Sequence, residues 1–497
     1  MNKIRKFAWV TMIAATAVAV GCGPVGTGAE TDTAGSRTPK ILSAAHLGQK
    51  AGELSADGRM IVGRGKDYVP IAEDPVALSA RLQKSMAERR AVAWRIVEAM
   101  LEPQKIMVGS ESFDVPLWHT WYEGKQGSRE VEGKIKLFFA KLKACRTANC
   151  QKSMEQIAAE TVASTDTKDL ARSLTDANLG RMTASLQGAA GQPENLGRGG
   201  TIYSPSFVEH ILAQARSIET CHSLRTTNTD PGPSSDRFSH CLAEFPRSAT
   251  MLKTVWLPLQ QGVPAPRTDA TAMTALIDGG SWPSSPASQV GSDKIYAIES
   301  AEGKTYGLRA LHISTKDIRE WMWITLWWSP SPDSDFGQDR PASIARFNGG
   351  VWANYKMCVT SAFAEGDPAP WSSFQQGQPQ LAAALKATHE ALVRRANVSP
   401  DRQLTTWCSN PNVETESNNG MSNCIGCHQY ASSWDPEVNR LTDYHYTLEP
   451  NPRARYPQHG RAKGRNNFAS DFTWSFFFES TPALIRQERE RNPRMDW

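Results

Sequence analysis

Residues Trp321-Met322-Trp323-Ile324-Thr325-Leu326-Trp327-Trp328 decide the fold class of this chain. An extended strand sends alternate side chains to opposite faces, and here both sets are dominated by large apolar groups. That pattern fits a strand covered on both sides, inside a sheet. Upstream, Ile295-Tyr296-Ala297-Ile298, a turn at Glu302-Gly303-Lys304 and the run Tyr306 to Ser314 read as further strands. Within that run Leu308, Ala310 and His312 alternate with Arg309, Leu311 and Ile313. The alternation predicts a half-buried strand with His312 turned inward on the face of Leu308 and Ala310.

On the N-terminal side of this sheet the apolar period changes from two to that of a helix. Val76, Leu78, Leu82, Met86, Val92, Ile96, Val97 and Leu101 recur at helical spacing among Arg, Lys and Glu. Further helices are expected at about 130–145, 153–186 and 205–221, the last opening on Ser204-Pro205, an N-cap followed by proline at the first helical position. On the C-terminal side, 379–396 reads as a helix, and from Val398 onward the chain is rich in Asn, Pro, Arg and turns. No internal repeat is found.

The C-terminal stretch holds the one specific motif, Cys424-Ile425-Gly426-Cys427-His428. C-x-x-C-H is the pattern of covalent c-type haem attachment. Two thiols three positions apart reach the two vinyl groups of one macrocycle, and the adjacent imidazole is placed as proximal iron ligand. Random placement of the 9 Cys and 10 His among 497 residues gives about 0.003 such motifs, so coincidence is a poor explanation. Two other readings stay open. Cys424 and Cys427 could close a small disulfide, or Cys408, Cys424, Cys427 and His428 could bind zinc, although adjacent Cys427 and His428 would strain a tetrahedral site.

The surroundings suit haem. Phe468, Phe472, Trp474, Phe476, Phe477 and Phe478 offer flat apolar surface, and Arg453, Arg455, Arg461, Lys463 and Arg465 are candidate partners for propionates. Each group also has a plainer reading, as core and as solvated loop. The sixth iron position has several candidates: His445 and His459 downstream, His312 and Met357 upstream, or no protein ligand at all; the only later methionine, Met495, stands two residues from the C-terminus. For His312 a satisfied core histidine is the plainer reading. Asp333, Asp335 and Asp339 could collect calcium, but the EF-hand glycine and terminal glutamate are missing and a solvated turn is simpler. No nucleotide-binding glycine loop, G-x-S-x-G or H-E-x-x-H is present.

The N-terminus bears on the compartment. Lys3, Arg5 and Lys6 precede the uncharged run Phe7 to Val20, the pattern of a signal peptide over 1–21. Ala19-Val20-Gly21-Cys22 resembles a lipobox, which would make Cys22 a lipidated first residue, ahead of ordinary cleavage and of a retained anchor. Removing 1–21 lowers the formal charge from +4 to about +1, so nothing argues for nucleic acid. A composition of 40% hydrophobic and 21% charged residues excludes a disordered, collagen-like or multi-span membrane protein. The expected organisation is an α+β chain: signal peptide 1–21, flexible tether 22–75, helical domain 76–270, β-rich region with a central antiparallel sheet 271–397, and a mostly irregular and helical haem-binding region 398–497.

Trp407-Cys408-Ser409-Asn410-Pro411, the C-x-x-C-H motif with Gln429, Trp321 to Trp328 and Tyr355-Lys356-Met357-Cys358 together resemble large single-haem c-type cytochrome family proteins of the bacterial envelope. The resemblance spans about residues 295–480, and the haem motif is its specific part. It implies one covalent haem c, attachment at Cys424 and Cys427, His428 as proximal ligand, and electron transfer with a periplasmic or membrane partner. A haem-dependent oxidoreductase with an open iron site and a non-enzymatic lipoprotein scaffold are the alternatives. With Cys22, Cys424 and Cys427 set aside, six cysteines remain, and nearest-neighbour pairing predicts disulfides Cys145–Cys150, Cys221–Cys241 and Cys358–Cys408.

Overall fold

Met322–Trp328 forms a strand in which every side chain is buried, as its two apolar faces require. The computed structural model describes residues 41–43, 66–108, 111–123, 129–163, 200–224, 243–279, 282–283, 286–299, 303–396, 406–413, 423–428, 471–473 and 480–491. These belong to one unit, Thr38–Trp497. Helix is mixed with a mainly antiparallel sheet, an α+β arrangement.

Among the described residues the main sheet has eight strands: β1 (Leu42–Ser43), β2 (Tyr122–Glu123), β3 (Gly200–Tyr203), β4 (Thr250–Pro258), β5 (Ala297–Glu299), β6 (Thr305–Thr315), β7 (Met322–Trp328) and β8 (Tyr355–Thr360). The order is β1-β5-β6-β4-β3-β2, with β7 joined to β6 and β8 joined to β7. β6 is the hub: β4 lines one side, while β5 pairs Thr305–Gly307 and β7 pairs Ala310–Thr315 on the other. Only the two-residue β1–β5 pairing is parallel. The sheet thus draws β2, β3 and β4 from 76–270, a stretch that reads as helical. β3 is only four residues long, and Thr250-Met251-Leu252-Lys253-Thr254-Val255-Trp256-Leu257 shows no clean alternation of polar and apolar residues.

The helices are α1 (Pro75–Leu82), α2 (Met86–Leu101), α3 (Arg129–Thr147), α4 (Met154–Val162), α5 (Pro205–Ala213), α6 (Ala215–Leu224), α7 (Ala270–Gly279), α8 (Pro379–Ala396), the single turn α9 (Cys424–His428) and α10 (Ser480–Glu490). Local rules explain several starts. Ser85 accepts from the Glu88 N–H at the head of α2, Ser153 and Gln156 form a capping box on α4, and Ser204 accepts from the Phe207 N–H ahead of Pro205 in α5. The helix expected over 205–221 is divided at Gln214, whose φ of −92° and ψ of 10° end α5. Of the helix expected over 153–186, residues beyond 163 lie outside the described set. No described helix is long and apolar enough to cross a membrane.

Residues directly opposite one another on paired strands share a face. One face carries Leu252, Trp256, Leu311, Ile313, Ile324, Leu326, Met357 and Val359, and it forms a continuous core with Val92, Trp94, Ile96 and Val97 of α2. The other face splits into two cores. Met251, Tyr203 and Trp323 join α3, α4 and α5 with Cys424, Ile425 and Phe472, whereas Trp327 and Cys358 join α7 and α8 with Trp407.

A β-bulge at Arg309 decides where His312 points. Leu308 pairs with Trp256 but Ala310 pairs with Val255, so the register slips by one across Arg309. Leu308 therefore shares the α2 face with Trp256, while Ala310 and His312 point to the opposite side. His312 is inward, as the alternation predicts. It does not share a face with Leu308, because an unbroken period of two cannot show a bulge.

Candidate functional site

The motif turn α9 is seated against that second face. Asn423, immediately before it, donates from Nδ2 to the carbonyls of Phe363 (2.9 Å) and Thr406 (2.6 Å), which pins the start of the turn. Cys424 and His428 are four positions apart, the spacing that places two side chains on one side of a helix. Cys424 and Ile425 are buried among Trp321, Trp323 and Phe472. The His428 ring packs on Trp323 with centroids 4.3 Å apart.

His428 Nδ1 lies 2.8 Å from the carbonyl oxygen of Phe472. A carbonyl only accepts, so Nδ1 carries the proton and Nε2 keeps its lone pair. Although the side chain is partly exposed, burial, with a smaller contribution from the charge of Lys253, pushes the imidazole pKa down to about 3; the Phe472 bond opposes this. The ring is therefore neutral near pH 7, the state that binds a metal. Phe472 is held by its neighbour. Asp471 and Phe472 both have left-handed backbone, φ 48° and 66°, and Asp471 binds Lys316 Nζ at 2.7 Å and the Phe245 N–H at 2.9 Å.

A polar row crosses the same face. Thr201 on β3 faces Lys253 on β4, Lys253 faces His312 on β6, His312 faces Thr325 on β7, and Thr325 faces Cys358 on β8. In the next row Ser314 faces Trp323, so His312 is the diagonal neighbour of the ring that supports His428. Burial drives the His312 pKa well down, and Lys253 and His428 add to it. Lys253 thus acts on both imidazoles. Asn410 closes the row by donating to Thr325 Oγ1 (2.5 Å) and the Leu326 carbonyl (2.9 Å).

Of the residues singled out from sequence, the fold brings together Cys424, His428, Phe472 and His312. Cys427 lies on the same turn, but its side chain is outside the described set, as are His445, His459, Met495, the arginine-rich loop and the other residues of the aromatic cluster. Met357 is opposite Leu326 and belongs to the core against α2. It is on the wrong side of the sheet for an iron held by His428, because neighbouring positions on a strand point apart.

The carboxylates expected as a possible calcium cluster diverge. Asp333 pairs with Arg340, Asp335 with Lys356, and Asp339 with Arg90. Asp335 is buried, so the solvated-turn reading fails for it too; it neutralises Lys356 at 2.8 Å.

Two disulfides are present among the described residues, Cys145–Cys150 and Cys358–Cys408, with Cα atoms 5.0 and 5.6 Å apart. Cys221–Cys241 lies outside the described side chains. The Cys358–Cys408 bond removes Cys408 from the zinc alternative. Among the described residues no group of three or more His, Cys, Asp or Glu side chains converges as a metal site. One thiol and one tautomer-fixed imidazole on a single turn fit a thioether-attached haem, whose iron takes only its axial ligands from the protein.

Lys253, Trp323, Thr325, Asn410 and Asp471 are the site residues that sequence reading does not single out for this role. Their proximity comes from sheet register and from a contact 44 positions away along the chain, and no local spacing encodes either. No family model, curated protein or solved structure matches the chain.

Proposed function

We propose that this chain is an exported single-haem c-type cytochrome that passes single electrons to and from a redox partner in the periplasm or at the membrane. Haem c is bonded through Cys424 and Cys427, with His428 on the iron and Cys22 as the lipid attachment point. The observation that carries the reading is the Nδ1-to-carbonyl bond between His428 and Phe472 at 2.8 Å, found at the histidine of a C-x-x-C-H motif. Metal-binding histidines characteristically donate their second ring N–H to a fixed acceptor, which orients the ring and raises its basicity.

Haem c supplies a one-electron iron couple. The chain's own residues do the rest. Trp323 limits rotation of the His428 ring, Phe472 sets its tautomer, and Asn423 fixes the turn that spaces Cys424 from His428. The apolar packing of Trp321, Trp323 and Phe472 lowers the local dielectric, one of the levers that set a haem potential. The test is intact mass under denaturing conditions after co-expression with a cytochrome c maturation system. The full chain should carry one haem adduct, and Cys424→Ala with Cys427→Ala should remove it; an unmodified wild-type chain overturns the reading.

A further inference from the structure

We propose that His312 would be the second protein ligand of the iron that His428 would hold. The inference rests on the haem reading above and deepens it, because an iron with two protein ligands is built for electron transfer and not for binding a substrate.

The bulge at Arg309 turns His312 onto the face that the motif turn covers. There it lies within the polar row Thr201–Lys253–His312–Thr325. Trp323, its diagonal neighbour, carries the His428 ring at 4.3 Å between centroids. Register and ring contact therefore put both imidazoles on the same side of β6 and β7, with Trp323 between them in the contact chain. Met357, the other upstream candidate, is directed into the opposite core. Lys253 lies on the same face, opposite His312. An amine, however, must shed a proton with an ordinary pKa near ~10.4 before it can bind a metal, whereas an imidazole is neutral at pH 7.

The deciding experiment is electron paramagnetic resonance and optical spectroscopy of the full-length haem-loaded protein, with His312→Ala and His312→Met. The wild type should be six-coordinate and low-spin and should not take up carbon monoxide. His312→Ala should keep its covalent haem, turn high-spin, bind carbon monoxide and return to low spin when imidazole is added. His312→Met offers a different ligand where the alanine variant does not fold, and should show a sulfur-to-iron charge-transfer band absent from the wild type. A high-spin wild type overturns the proposal, as does a His312→Ala or His312→Met protein with the wild-type low-spin spectrum. In that event the haem reading survives if the haem is still covalently attached. A wild type without covalent haem removes both.

Discussion

The pair Lys316–Asp471 offers a quantitative test of how the site is held. Asp471 sits beside the carbonyl that orients His428, and two consecutive non-glycine residues there have left-handed φ, a conformation that costs about 1–3 kcal/mol each and persists only where the surroundings impose it. What imposes it is a buried ion pair: Lys316 Nζ and Asp471 Oδ1 are 2.7 Å apart and both side chains are 4% exposed. Lys316 also donates to the Arg319 carbonyl at 2.6 Å and lies over the Trp321 ring, while Glu244 is 3.8 Å away. Removing one member of such a pair leaves a buried charge, typically about 3–5 kcal/mol. Asp471→Asn keeps an oxygen for Phe245, and Glu244 remains, so the expected loss is near the lower end, about 3 kcal/mol. Lys316→Met strands the carboxylate and should cost a similar amount. The double variant leaves no unpaired charge and should lose about 2–3 kcal/mol less than the two single losses combined. The assay is urea unfolding with the slope checked for constancy. Losses that add to within about 0.5 kcal/mol refute the claim that this pair holds the segment.

The disulfides should rank by the loop each closes. Chain entropy assigns about 4 kcal/mol to Cys358–Cys408, which spans 50 residues, and about 2 kcal/mol to Cys145–Cys150, which spans 5; paired alanine substitutions measured by chemical denaturation should reproduce that order, and the reverse order contradicts it. His119 is buried, with Nδ1 2.7 Å from the Tyr296 hydroxyl, and burial lowers its pKa to about 4. Between that value and the ordinary 6.5 the unfolded chain binds a proton at this histidine that the folded chain does not, so the His119 contribution to stability is complete above pH 6.5 and falls as pH drops towards 4. The loss is about 3 kcal/mol at 1.36 kcal/mol per unit. His119→Gln should flatten this part of the stability–pH curve, and an unchanged slope counts against the assignment.

Much of the architecture is legible in the chain because burial on both faces leaves a local trace. Trp321 to Trp328 has no polar face to offer, and α2, α4 and α5 show helical periodicity with recognisable starts. The disulfides Cys145–Cys150 and Cys358–Cys408 follow from nearest-neighbour pairing. Other features leave no such trace. β4 has no clean alternation, so its Lys253 reads as a charge in a helical stretch and not as a member of a polar row. The bulge at Arg309 reverses the facing of every residue after it, which is why Leu308 and His312 part company. Phe472 reads as one more aromatic, yet its contribution is a backbone carbonyl presented by a left-handed turn. Met357 and His312 are equal candidates by composition and are separated only by the face each strand gives them.

The haem account stands or falls on whether the motif is used. The most direct measurement is the pyridine haemochrome of the full chain, purified after co-expression with a cytochrome c maturation system and extracted with acidified acetone. The account predicts one haem per chain that resists extraction and shows the spectrum of a macrocycle with both vinyl groups saturated, through Cys424 and Cys427. A colourless protein, or a haem that the solvent removes, contradicts it.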